Sequence, residues 1–146
     1  MPGCGGSGPA RTRKVPFVTH ADEPETHPFR AAVEAGDIDA AVGLLADDVV
    51  FHSPVAFKPY RGREMVSTIL RTVITVFEDF RYVREIGAAD DHALVFEARI
   101  GDRELTGCDF IHLNAAGKID DFMVMIRPLR GVQALAEAMA SRLPGA

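Results

Sequence analysis

Asp109 is the residue that most invites a chemical role. It lies in the run Leu105-Thr106-Gly107-Cys108-Asp109-Phe110-Ile111-His112-Leu113. Read with the two-residue period of a strand, Leu105, Gly107, Asp109, Ile111 and Leu113 share one face. That face is apolar apart from one carboxylate. A charge buried there needs a partner, a shifted pKa or a job. The functional expectation is a pocket carboxylate acting as base, acid or ligand anchor. The structural alternative is a carboxylate satisfied by backbone donors, a Tyr hydroxyl or an Arg.

Other side chains could act with it. His52 ends a β-prone run just before Ser53-Pro54 and could shuttle a proton, since imidazole titrates near neutral pH. The competing reading is a histidine hydrogen-bonded at a strand end. Tyr60, in the loop that follows, could donate to a ligand. A Gly101-Asp102 hairpin would place Leu94 opposite Asp109 and Phe96 on the same face. If Asn114 pairs with Lys118, Met123 faces Asp109 and Asp121 becomes its diagonal neighbour, about 7–8 Å away by Cα. A one-residue slip would instead send Asp121 to the opposite face, and at a strand end it would meet water. Arg127 could clamp a carboxylate or ketone oxygen, or pair with Glu104. Asp109 and His52 are thus the catalytic candidates. Tyr60, Phe96, Met123 and Arg127 are the ligand-binding ones.

Several chemistries are not expected. His20, His27, His52, His92 and His112 show no two-ligand spacing on one element, so no metal is predicted. There is no phosphate loop, nucleophile elbow or cofactor motif, so no cofactor is predicted. Cys4 and Cys108 lack metal-ligand spacing, and Cys108 reads as a small buried hydrophobe. A reduced, cytoplasmic setting fits. The net charge of -5 argues against nucleic acid as a partner. No apolar run approaches the roughly 20 residues that span a bilayer.

The elements that must hold these residues follow from periodicity. Residues 1–25 read as a flexible tail, since Met1 to Ala10 alone holds four Gly and two Pro. One domain is expected over 26–146. Phe29, Ala32 and Val33 give a short helical face stopped by Gly36. Asp37 can cap a second helix carrying Ile38, Ala41, Val42 and Leu45. Val49 to His52 reads as a short strand, and Val55 to Arg61 as a loop. A long helix follows Gly62, with a stripe from Met65 to Phe77. Strands are expected near 80–88, 92–100, 104–113 and 118–127. Asn114 to Gly117 would form a type I turn ending in a left-handed Gly. A helix through Val132, Leu135, Ala136, Met139 and Leu143 closes the chain. This is an α+β architecture with helices on one face of a curved antiparallel sheet. Its second face would carry Val95, Cys108 and Phe110, continuing into Phe122, Val124 and Ile126. Such a face asks for cover, and a homodimer would supply it.

The segments Asp47 to Pro54, Tyr60-Arg61-Gly62-Arg63, Gly107-Cys108-Asp109-Phe110, Gly117-Lys118-Ile119 and Val124 to Leu129 resemble the SnoaL-like branch of the nuclear transport factor 2-like superfamily. The likeness runs from about residue 26 to the C-terminus. It implies a cone-shaped, cystatin-like α+β roll, often homodimeric, with a pocket between the concave sheet and the helices. Such proteins include ketosteroid isomerases, polyketide cyclases, epoxide hydrolases, dehydratases and non-enzymatic binding domains, so fold does not decide function. Asp109 matches a strand carboxylate of the limonene epoxide hydrolase-like branch. The Arg two residues earlier in that branch is Gly107 here, which breaks the acid-arginine-acid arrangement. The ketosteroid isomerase pattern sets a Tyr beside two carboxylates, and the sequence does not match either Tyr60 or Tyr82 to that Tyr.

Two functions follow. One is a small-molecule protein whose Asp109 polarises or deprotonates a hydrophobic ligand by isomerisation, cyclisation or dehydration chemistry, with His52 or Tyr60 as donor. The other is a non-catalytic dimeric domain that binds a hydrophobic ligand or a protein.

Overall fold

The computed structural model describes residues 26–143. The expected tail over 1–25 lies outside the described residues. Two short helices come first, α1 (Pro28–Glu34) and α2 (Ile38–Gly43). The His27 ring caps α1 by accepting from the Phe29 N–H, and the Asp37 carboxylate caps α2 by accepting from the Ala40 N–H. Each cap satisfies a donor that the first helical turn leaves free. Strand β1 (Leu45–His52) follows, longer than the four residues its β-prone run suggested. The segment expected as loop contains a two-residue strand, β2 (Tyr60–Arg61). Helix α3 (Arg63–Val76) buries Val66, Ile69 and Leu70. Strands β3 (Glu78–Ala88), β4 (Asp91–Ile100), β5 (Arg103–Leu113) and β6 (Ile119–Arg127) then lead into α4 (Leu129–Arg142).

The six strands form one curved sheet in the order β2-β1-β6-β5-β4-β3. The last four make an antiparallel meander, and β1 pairs parallel with β6. The sheet is therefore mixed rather than wholly antiparallel. A parallel neighbour needs a long crossover, which α3 and the intervening strands supply. Helices cover one face, where Phe96, Phe122, Leu94 and Ile119 are almost completely buried.

The β4–β5 register is the expected one, with Leu94 opposite Asp109. The β5–β6 turn also forms as expected. The Asn114 N–H donates to the Lys118 carbonyl at 2.8 Å, and Gly117 takes φ +80°. That φ suits glycine, which has no Cβ to clash. The register beyond the turn differs from expectation. Leu113 pairs with Ile119, but His112 pairs with Asp121, so Asp120 is an extra, bulged residue. A bulge of one residue flips every later side chain. Val124, not Met123, faces Asp109, and Phe122 faces Ile111.

The bulge is favoured because it lets Ile119 and Phe122 both face the core, where each is at most 1% exposed. It corrects two expectations. Phe122, Val124 and Ile126 line the inner side rather than the outer. Asp121, Met123, Met125 and Arg127 alternate with them and point away from the helices. The outer face is still apolar at its centre, with Phe110 at 38% and Met125 at 53% exposure. Cys108 lies on that face, half-buried rather than fully buried.

Candidate functional site

The concave side of the sheet and the helices enclose a cavity of about 240 Å³. Its walls are apolar. Phe51, Phe96 and Phe122 come from the sheet, Val73 and Phe77 from α3 and the residue after it, and Met139 from α4. The stripe spacing expected of α3 and α4 aims these residues inward. Among the described residues only four that line it carry polar side chains, namely Ser53, Tyr60, Tyr82 and Asp109. Among the described residues Asp109 is the one carboxyl group that lines the space, and no Lys, Arg or His does.

Asp109 is 6% exposed. The Tyr82 hydroxyl donates to its Oδ2 at 2.9 Å. Among the described residues Oδ1 has no hydrogen-bond partner, so Oδ1 is the atom left for a ligand. Burial pushes the Asp109 carboxyl up from 3.8 to about 7, and the Tyr82 hydrogen bond, which favours the charged form, opposes this. Near neutral pH the group is thus shared between acid and carboxylate. Tyr82 is held well above its usual 10, first by its own burial and then by the Asp109 charge. It stays a donor throughout.

The sheet geometry explains the pair. Tyr82 on β3 lies opposite Phe96 on β4, which lies opposite Gly107 on β5. A Cβ on Gly107 would stand 2.2 Å from Phe96 Cζ, so only glycine leaves room for that ring beside Asp109. Phe96 stacks on Phe80 at 4.8 Å between centroids, and Phe80 meets Tyr82 edge-on at 5.0 Å. Arg30 of α1 sits over the Tyr82 ring at 5.8 Å and bonds Glu85 at 3.3 Å. These contacts fix the phenol, so that its hydroxyl reaches across the sheet to Asp109.

The residues singled out in the sequence divide between the two faces. Asp109, Tyr60 and Phe96 line the cavity. His52, Met123 and Arg127 do not. His52 alternates with the inward Phe51, points outward, and its Nε2 meets Asp121 Oδ1 at 3.0 Å. The strand-end reading is the one that describes it. His112 and the bulged Asp120 form a similar pair at 2.7 Å. Arg127 lies opposite Thr106 on the outer face and is exposed, and it forms no ion pair with Glu104 among the described residues. Glu97 pairs with Arg81, and Arg99 with Glu78 and Asp79, all on the surface. No group of three or more metal-ligating side chains is assembled among the described residues.

Tyr82 and Ser53 are the site residues that sequence reasoning did not assign. Tyr82 was hard to place because β3 carries register shifts on both sides of Arg81–Tyr82, so its face cannot be counted from the turn. Ser53 follows His52 by one residue, and strand alternation turns it inward.

A curved α+β roll with one carboxyl buried in an apolar cavity is a recognisable class. Residues 27–122 match the SnoaL-like domain, and the chain belongs to that family, within the nuclear transport factor 2-like superfamily. A solved structure from Pseudomonas aeruginosa named as a steroid delta-isomerase is 44% identical, with 87% of this chain and 90% of that one covered and a TM-score of 0.75. An uncharacterised bacterial protein with a cystatin-like fold from Silicibacter pomeroyi is 40% identical, over 79% of this chain and 82% of that one, also at 0.75. A Mesorhizobium loti protein of the nuclear transport factor 2-like type shares the fold at 16% identity, over 73% and 98%, with a TM-score of 0.61. No helix of the described residues is long and apolar enough to cross a membrane.

Proposed function

We propose that this domain binds a small, uncharged hydrophobic molecule by a carbonyl oxygen, and that any reaction it catalyses is a proton transfer next to that carbonyl. The observation that carries the reading is Asp109, a cavity carboxyl poised near neutral pH with Oδ2 taken by Tyr82 and Oδ1 left over. As the neutral acid, Oδ1–H donates to the ligand carbonyl. As the carboxylate, it accepts a proton from the carbon beside it. No cation lines the cavity among the described residues, so an anionic ligand would meet Asp109 and mostly apolar walls with no charge to offset its own. The likeness to a protein named as a steroid delta-isomerase makes a ketone a reasonable probe. Tyr82 supports Asp109 itself; of the two expected donors to the ligand, Tyr60 lines the cavity and His52 does not.

The test is calorimetric titration with a neutral steroid ketone at pH 6 and pH 8. The protonated fraction of a group titrating near 7 falls about tenfold between these values, so affinity should fall about tenfold. Absence of binding, or an affinity independent of pH, would overturn the reading.

A second reading, the dimeric binding domain, is favoured by the outer face. Phe110 at 38% and Met125 at 53% exposure give it an apolar centre, with half-buried Met123 and Cys108 beside them. We propose that a second copy of the chain covers this face.

A further inference from the structure

We infer that Ser53 is a second ligand contact, a hydrogen-bond donor facing the same space as Asp109, and that the ligand therefore carries two acceptor oxygens in an uncharged, otherwise apolar frame. This rests on the proposed role of Asp109 and adds a requirement of its own.

A serine oxygen has two acceptor positions and one proton to donate. In Ser53 both acceptor positions are filled by its own loop, by the Val55 N–H at 2.9 Å and the Ala56 N–H at 3.3 Å. The proton remains. Thr68, Thr72, Thr75 and Ser141 each direct theirs to a helix carbonyl. The Ser53 proton has no acceptor among the described residues; the hydroxyls of Thr26, Ser67 and Thr106 have none either, but of these four only Ser53 lines the cavity. With both acceptor positions engaged, Ser53 is poorly placed to take a proton, so it serves as a donor and not as a base.

The register places it with respect to Asp109. His52 lies level with Met123 on the parallel strand β6, so Ser53 comes level with Val124, and Val124 pairs with Asp109. Ser53, Val124 and Asp109 thus form one row across the concave face, two strand spacings or about 9–10 Å from end to end by Cα. Concavity brings the side-chain tips closer than the Cα atoms. A compact ring system can meet both ends at once. The two polar groups of this row are both donors when Asp109 is protonated. A ligand with one carbonyl satisfies one of them, and a ligand with two satisfies both.

The experiment uses two bicyclic probes of the methyl-decalin type, an enedione and the matching mono-enone that lacks the second carbonyl. Binding of both is measured at pH 6 on the wild type, Ser53→Asp and Ser53→Asn. Either replacement can accept from the two loop N–H groups as an Asx turn does, and thermal melts check that the domain stays folded. Asp at this half-buried position, accepting from both loop N–H groups, is held as the carboxylate while Asp109 is protonated, so it offers no proton, whereas Asn offers an amide N–H. The wild type should prefer the enedione about five- to tenfold. Ser53→Asp should abolish the preference and Ser53→Asn should keep at least part of it. An undiminished preference in Ser53→Asp, or equal affinity of the wild type for both probes, would overturn the Ser53 contact and leave the role of Asp109 standing. Failure of the wild type to bind either probe would overturn both.

Discussion

Replacing Asp109 with Asn should change how stability depends on pH more than it changes stability at any one pH. The carboxyl titrates at an ordinary 3.8 when unfolded and at about 7 when folded. Between those values the folded state binds a proton that the unfolded state has lost. Protonation then favours folding, so stability falls as pH rises, by up to about 1.4 kcal/mol per pH unit. Integrated from pH 5 to pH 8, the wild type should lose about 2–3 kcal/mol on account of this residue. Above pH 8 the loss levels off, because both states are then ionised. Asn has nearly the same shape and no titration, so the variant should lack this slope. At pH 8 it should equal or exceed the wild type, and at pH 5 its advantage should vanish. The assay is urea denaturation of both proteins at pH 5, 6, 7 and 8, read by far-ultraviolet circular dichroism. Parallel profiles would refute the reasoning, because they would mean that Asp109 titrates alike in both states. A variant less stable at pH 8 than the wild type would make Asp109 a structural carboxylate.

Other predictions bear on its surroundings. Tyr82→Phe removes the donor that favours the charged form, so it should raise the Asp109 pKa further and cost about 1–3 kcal/mol at pH 8, less at pH 5, by the same melts. Gly107→Ala drives a methyl into the Phe96 ring and should destabilise by about 1–3 kcal/mol, since Phe96 is 1% exposed and has little room to yield. His27 is held below its usual 6.5 by burial and by the facing His92, against the pull of Glu85. The unfolded state therefore binds more protons below pH 6.5, so stability should drop as pH falls through that value, and His27→Asn should weaken this acid sensitivity in paired melts at pH 5 and 7. Met125→Lys should shift a dimer towards monomer in light scattering at micromolar concentration; a wild-type monomer mass would refute the proposed pairing.

Much of the fold was legible because its signals are local. The stripe from Val66 to Phe77, the Asp37 cap, the Gly101-Asp102 hairpin and the Asn114–Gly117 turn each follow from a few neighbouring residues, and each leads to the observed element. Asp109 stood out for a similar reason, since alternation along one strand shows a carboxylate among apolar neighbours. What was not legible depends on how strands align. The turn fixes Asn114 against Lys118, but the bulge at Asp120 lies two residues further on and carries no Gly or Pro to mark it. That one residue moved Met123, Arg127 and Asp121 off the cavity face and brought Val124 and Ile126 onto it. The parallel pairing of β1 with β6 joins segments about 70 residues apart and has no local signal either. Without it the inward turn of Ser53, and the outward turn of His52 with its partner Asp121, cannot be counted.

The bulge also connects the two faces of the sheet. Were Asp120 paired in regular register, Asp121 would point into the cavity two residues from Met123 opposite Asp109, and two carboxylates would share a space that no cation of the described residues lines. Each would then raise the cost of ionising the other. By taking up one residue at the strand entrance, the bulge hands Asp121 to His52 on the outer face and leaves Asp109 alone among aromatic rings. A lone carboxyl in such surroundings is raised by burial and lowered by a single phenol. Those opposed effects leave it near neutrality, where one group can both donate and accept a proton. The departure from regular pairing thus gives Asp109 its environment, and with it the chemistry proposed for the site.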